Sequence, residues 1–160
     1  MDGVDIHVLA FDHPDSTKLI DLVQQEYVGR YGDPDVTPVD PAEFAPPQGI
    51  FLVGYRDEVP IACGGWRAHA AGDGSLRGRD AEIKRMFVVD GERGRGHSRA
   101  MLAALERTAA EYGCRRIVLE TGYKQPEAIA LYRSSGYHEI EKFGVYAQDP
   151  ISVCMAKELE

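Results

Sequence analysis

Apolar positions along this chain follow two periods, and the switches between them mark out its elements. Ile6 to Phe11 reads as a short first strand. Ser16 or Thr17 is placed to cap a helix running to about Val28, with Leu19, Ile20, Leu22, Val23 and Tyr27 at helical spacing. Ile50 to Tyr55 and Val59 to Arg67 are two strands joined by the tight Arg56-Asp57-Glu58 connection, a hairpin. A turn at Ala71-Gly72-Asp73-Gly74-Ser75 leads to a fourth strand, Ala81 to Val89. The next helix begins near Ser98, sets Met101, Leu102, Leu105, Ala109 and Tyr112 on one face and ends at Gly113. Arg116 to Thr121 is a fifth strand, whose Ile117-Val118-Leu119 run predicts burial on both faces. Pro126 sits where the first residue of a helix favours proline, and Gly136 terminates that short helix. Tyr137 to Lys142 and Ile151 to Ala156 close the chain as strands, with Phe143 to Pro150 looping between them.

The order β-α-loop-β-β-β-α-β-α-β-β predicts an α/β fold with a mixed six- to seven-stranded sheet and helices on both faces. A doubly wound nucleotide fold needs more alternating units than this. With 160 residues the chain has room for one good core, so residues 1–160 read as a single domain. The stretch from Gly32 to Gly49 holds five of the nine prolines and no Lys or Arg. A loop of that length is expected to be functional or mobile.

Charge changes the picture by its distribution. The net charge is −8, but residues 1–60 carry −9 and the remainder +1. From Arg77 to Arg99 seven bases face four acids, an excess suited to a polyanionic ligand. No basic stripe with interleaved aromatics is present and the overall charge opposes a phosphate backbone, so nucleic acid is not expected. Met1-Asp2-Gly3-Val4-Asp5 is acidic with no apolar run behind it, and no run approaches the length of a membrane span; a cytoplasmic protein is expected. Cys63, Cys114 and Cys154 are odd in number and widely spaced, which argues against a disulfide framework or a thiolate zinc site. The five histidines show no metal-ligand spacing on one helix face, so no metal is expected.

The candidate chemistry starts at Arg93-Gly94-Arg95-Gly96-His97-Ser98-Arg99, between a strand and a helix. A helix N-terminus leaves unpaired N–H groups and carries partial positive charge, so a pyrophosphate is a natural ligand. Gly94 and Gly96 remove side chains where phosphate oxygens approach, and the three arginines add charge. The dinucleotide fingerprint would need a third glycine at Arg99, and a Walker loop would need Gly-Lys-Ser/Thr. An ordinary strand-to-helix turn remains the competing reading.

The chain resembles the GNAT superfamily of N-acetyltransferases, whose cofactor motif Arg/Gln-x-x-Gly-x-Gly/Ala is met by Arg93-x-x-Gly96 with Ser98 at the last position, compact and placed to cap the helix. The segment Gln125-Pro-Glu-Ala128-Ile-Ala-Leu131-Tyr132-Arg-Ser-Ser-Gly136-Tyr137 is similar to the family's Asn-x-x-Ala-x-x-Leu-Tyr-x-x-x-Gly-Phe/Tyr, with Gln125 in place of Asn. The preceding strand, Ala81 to Val89, matches as well. The resemblance implies an acyl-CoA N-acyltransferase fold, acetyl-CoA as donor, and a homodimer without a named interface. It implies that Met86, Phe87 and Val88 offer main-chain N–H groups to the thioester and pantetheine, with Arg93 to Arg99, Gln125 and Ala128 on the cofactor. It implies Tyr132 as general acid toward the leaving thiolate and Glu82 as general base. A half-buried tyrosine and a cross-strand Glu82–Lys84 pair are the plain structural readings of the same residues. No Cys-His pairing favours an acyl-enzyme, so direct attack in a ternary complex is expected. In the family the acceptor lies between the loop after the first helix and the last loop. Here those carry Asp33, Asp35, Asp40 and Glu43 on one side and Tyr146 with Asp149 on the other, a surface suited to a small cationic amine. A protein N-terminus or lysine as acceptor, and a non-catalytic acyl-CoA sensor, are the alternatives.

Overall fold

A computed structural model describes residues 3–70 and 74–160. Met1, Asp2 and the first three residues of the turn expected at Ala71–Ser75 lie outside the described residues. Seven strands form one sheet in the order β1-β2-β3-β4-β5-β7-β6. They are β1 (Asp5–Val8), β2 (Gly49–Arg56), β3 (Val59–His69), β4 (Asp80–Val88), β5 (Arg116–Gly122), β6 (His138–Glu139) and β7 (Ser152–Glu158). Three helices cover it: α1 (Pro14–Tyr31), α2 (His97–Glu111) and α3 (Pro126–Ser134).

Period-two alternation sorts the sheet's side chains onto two faces. Ile50 and Leu52 pack with Met101, Leu102 and Leu105 of α2, while Phe51 and Val53 pack with Leu19 and Val23 of α1. Each such burial is worth about 1.5–3 kcal/mol of transfer free energy. Trp66 is fully buried and donates its indole N–H to Thr108 Oγ1 at 2.9 Å, tying β3 to α2. The β2–β3 hairpin turns through Asp57 and Glu58, with φ of 51° and 66°. Two positive φ values match the twist of the flanking strands, although neither residue is the glycine or asparagine usual there.

Several boundaries differ from expectation, each for a local reason. α1 starts before Ser16: His13 is the N-cap, accepting Asp15 N–H on Nδ1 at 3.0 Å, and Pro14 opens the first turn. Ser16 and Thr17 instead donate to the Ala10 and Pro14 carbonyls. β1 stops at Val8 because Phe11 turns inward to stack on Phe44, ring centroids 4.9 Å apart. β6 shrinks to His138–Glu139 because Tyr137 is drawn into the core and donates its hydroxyl to Glu106 Oε2 at 2.8 Å. Inside the long loop, Pro41–Phe44 forms a 3₁₀ turn with a reciprocal cap. Asp40 accepts Ala42 N–H and Glu43 accepts Asp40 N–H.

Two irregularities of β4 position everything that follows. β4 and β5 form the sheet's parallel pair, and their register ends after Asp80↔Arg116, Ala81↔Ile117 and Glu82↔Val118. On the other edge, Cys63 pairs with Phe87 and Gly65 with Lys84, so two steps on β3 face three on β4. The extra residue makes a bulge at Arg85, whose φ is 60°. Cys63 donates its thiol to the Arg85 carbonyl at 3.2 Å and holds that bulge.

Candidate active site

Where β4 and β5 cease to pair, a cavity of about 450 Å³ opens, within the range of small-molecule sites. Its walls are Ile83–Val88 of β4, Leu119–Gly122 of β5, the last turns of α1, the inner face of α3 and residues 33–35. Gly94 and Ser98 stand at one end and Tyr146 and Asp149 at the other. A second hollow of about 190 Å³ adjoins the first end, between Val88, Glu92 to Gly94, Gly96 to Arg99 and Leu131.

Gly94 and Gly96 have φ of 79° and 83°, and nothing lies within 4 Å of where either Cβ would stand. The turn therefore needs glycine for its backbone, and the space before it is open. Gly96, not Ser98, is the N-cap of α2, and no side chain caps it, which leaves the helix's first N–H groups for an anion. Ser98 lies inside the first turn, its hydroxyl not used as a cap. Arg93 is held by its own chain: it donates to Val88 O at 3.0 Å, pairs with Glu26 at 2.5 Å and lies over the Phe87 ring. Arg95 is exposed and belongs to neither wall. Arg99 donates to Ser134 Oγ at 2.7 Å, joining α2 to α3. His97 is buried, with Nε2 unbonded at 3.5 Å from Glu92 Oε1.

On the α3 side, Ala128 and Gln125 line the cavity, and Gln125 Oε1 accepts the Tyr31 hydroxyl at 2.9 Å. Met86, Phe87 and Val88 line it from β4, and Phe87 also packs into the α1 core. Tyr132 is buried in the wall with its ring 5.6 Å from Tyr137, and burial raises its pKa. At neutral pH it is a neutral donor. A thiol titrates near 8.5, so a phenol above 10 stabilises a departing thiolate by hydrogen bonding more readily than by giving up its proton.

Glu82 is not in the cavity wall. Its Oε1 accepts Arg67 Nε at 3.0 Å and His69 Nε2 at 2.7 Å, deep in the β3–β4 register. Burial works against its ionisation, but the His69 hydrogen bond and the Lys84 and Arg67 charges hold its carboxyl below the usual value. A carboxylate so engaged is a poor proton acceptor. Among the carboxylates that do line the cavity, with Glu26, Asp33, Asp35, Glu127 and Asp149, is Glu120, two residues past Val118 on β5. Burial pushes it up to about 7, against the Lys84 charge and the Ser152 hydroxyl, which donates at 3.2 Å. That is the range in which a carboxyl exchanges protons at neutral pH. Its signal in the sequence was faint: one acid at the end of an apolar strand.

The acidic loop is largely spent on internal partners. Asp35 Oδ2 lies 2.5 Å from both Lys84 Nζ and Arg85 Nη1, and Oδ1 accepts the Thr37 N–H and hydroxyl. Burial alone would raise its pKa, but Lys84 and the Thr37 bonds hold it far below the carboxylate range. Asp40 caps the 3₁₀ turn, and Glu43 pairs with Arg67 at 2.9 Å. Asp33 remains exposed at the cavity wall. Tyr146 bridges the two flanking loops by accepting Val36 N–H at 2.8 Å.

The profile of the Acetyltransferase (GNAT) family matches residues 16–137. An IAA acetyltransferase of Azospirillum brasilense is 36% identical over 121 residues, covering 76% of this chain and 75% of that one. An uncharacterized N-acetyltransferase of Bacillus subtilis is 32% identical over 124 residues, covering 72% and 82%. Among solved structures, one described as an acyl-CoA N-acyltransferase from Klebsiella pneumoniae superposes with a TM-score of 0.78 at 28% identity, covering 100% of both chains.

Proposed function

The chain belongs to the GNAT acetyltransferase family and is an N-acetyltransferase, and on that premise we propose that it acetylates the primary amine of a small, cationic molecule by direct attack on acetyl-CoA. The observation that carries this reading is one continuous wall: Gly94 and Ser98 of the anion-accepting turn, Tyr132 and Glu120 all line the same cavity. The donor's pyrophosphate sits at the α2 N-terminus, and its thioester lies between the diverging strands. The neutral amine attacks the thioester carbon, an N–C bond forms, and the C–S bond breaks. The surplus proton on nitrogen passes to Glu120, and the sulfur departs as thiolate against the Tyr132 hydroxyl. Glu120 thus takes the role that the family resemblance gives to Glu82, and Glu82 orders Arg67 and His69.

The hydrogen bond from Val36 N–H to Tyr146 joins the two loops that flank the cavity, and a cleft tied in this way favours a small acceptor over a protein N-terminus or lysine. The acceptor arrives as an ammonium, drawn by carboxylates at the wall such as the exposed Asp33, and gives one proton to solvent before it attacks as the neutral amine. Release of CoA thiol from acetyl-CoA across amino acids, polyamines, aminoglycosides and peptides tests the reading. Turnover with a small amine is the expected result. Turnover with peptides alone overturns the small-molecule assignment, and no turnover beside clear thermal stabilisation by acetyl-CoA overturns the catalytic assignment of these residues.

A further inference from the structure

Beside Glu120 the cavity wall carries two cations, Lys84 and Arg85, that share one direct ion-pair partner. Lys84 and Arg85 are only 8% and 6% exposed, both line the cavity, and both lean on the single oxygen Asp35 Oδ2. Arg85 Nε is buried with no hydrogen-bond partner. Leaving a guanidinium N–H unbonded in the interior forfeits its hydration without replacing it. The backbone adds to this, since Arg85 holds a φ of 60° that a β-strand residue other than glycine rarely adopts. Strain and an unmet donor at one residue, facing a cavity, mark a place prepared for a ligand group that is itself an anion.

The donor does not supply that anion. Its phosphates belong to the glycine turn at the far end, and the acetyl thioester that enters between the strands is neutral. Glu82 is taken by Arg67 and His69, and Asp35 has its second oxygen on Thr37. Tyr27 locates the arrangement. It lines the same cavity as Arg85, Tyr132, Asp35 and Glu120, and its pKa, raised first by burial, also responds to these four groups.

We infer that the acceptor carries a carboxylate as well as an amine, and that Arg85 and Lys84 bind this carboxylate while the amine faces Glu120. The acceptor class is therefore an amino carboxylate of amino-acid type. A guanidinium with free donors suits a planar carboxylate, and a neighbouring ammonium adds charge without demanding geometry. Asp35 is the positioning residue: it holds both cations at one place without satisfying them. This inference rests on the acetyl-transfer reading above and revises its acceptor from a simple cation to a zwitterion, whose amine still faces Glu120.

The experiment is a matched series: amino acids, their carboxamides and the corresponding decarboxylated amines, each assayed for CoA thiol release. The expected result is kcat/KM at least about tenfold higher for the acid than for its amide or decarboxylated amine, the worth of a charge-assisted hydrogen bond. In Arg85→Gln and Lys84→Met, the acid-to-amide ratio falls by about tenfold or more. Amides and simple amines turned over as well as the acids, or a ratio unchanged in both variants, overturn the inference and leave acetyl transfer standing. Calorimetric titration of the N-acetylated acids and amides into the CoA-bound wild-type protein gives a second readout that needs no variant to fold. Preferential binding of the acids supports the carboxylate site even where no amine is acetylated, which sinks the transfer reading alone. Equal binding of both overturns the site.

Discussion

At the cavity end proposed for the donor, the groups assigned to binding are main-chain: the turn at Gly94 and Gly96, the uncapped start of α2 and the β4 segment from Met86 to Val88. At the end proposed for the acceptor they are side chains gathered from separate elements: Asp35 from the loop after α1, Lys84 and Arg85 from β4, Glu120 from β5 and Tyr146 from the last loop. A backbone site depends on φ and on the absence of a Cβ, so it tolerates change everywhere except at its glycines. A side-chain site depends on charges that balance one another, so a single substitution alters its neighbours too. The donor end can stay constant while the acceptor end is rebuilt for another amine.

The largest effect expected from breaking this contrast lies at the acceptor end. Glu120→Gln lowers kcat/KM by roughly 10²–10⁴-fold, the usual worth of a general base. Since the base must be unprotonated, wild-type kcat/KM rises with pH up to about 7, and that limb is lost in the variant. Glu82→Gln costs less than about tenfold in rate. It costs on the order of 2 kcal/mol in stability instead, because the buried Arg67 loses a partner. If pH profiles of the two variants show the limb lost with Glu82 and kept without Glu120, the assignment is reversed. At the donor end, Gly96→Val raises KM for acetyl-CoA by roughly 10–100-fold, since the added side chain both strains a φ of 83° and fills the open space before the turn. Calorimetric Kd values for acetyl-CoA check this directly.

Smaller effects follow. Tyr132→Phe lowers kcat about tenfold, consistent with one hydrogen bond to a thiolate, with the Kd for acetyl-CoA nearly unchanged. An equal loss in both quantities would move Tyr132 from chemistry to packing. Tyr31→Phe removes the bond to Gln125 and is expected to raise KM for acetyl-CoA only a few-fold, because Gln125 keeps its place at the start of α3.

How much of this was legible in the sequence divides along the same line. The turn at Gly94 and Gly96, the Pro126 start of α3 and Tyr132 on its inner face are local patterns, and the element order with its mixed sheet followed from periodicity. Glu120 was hidden because Ile117-Val118-Leu119 reads as a buried run, and nothing near it in the chain announces a carboxylate in a cavity. Its partners come from residues 35, 84 and 152. The positive φ of Arg85 was invisible because it arises from a register mismatch between β3 and β4, which only pairing defines. Asp35 was seen as a loop acid, but its capture by two cations needed the loop's path across β4. The Glu82 assignment rested on a motif position, and Arg67 with His69, on one face of the neighbouring strand β3, decided where its charge was used.

The short β4–β5 register has a further consequence for how the molecule breathes. These strands share three register pairs, whereas β5 and β7 share seven. The sheet therefore contains a seam of strand edges in its middle rather than at its rim, where edges are usually managed. Within Met86 to Val88 and Leu119 to Gly122, the amide hydrogens on the facing edges, not bonded to β3 or β7, are expected to exchange with solvent deuterium much faster than those of the β2–β3 hairpin. An extended acyl-pantetheine chain laid in the seam gives those amides partners, so acetyl-CoA slows their exchange and joins the two halves of the sheet.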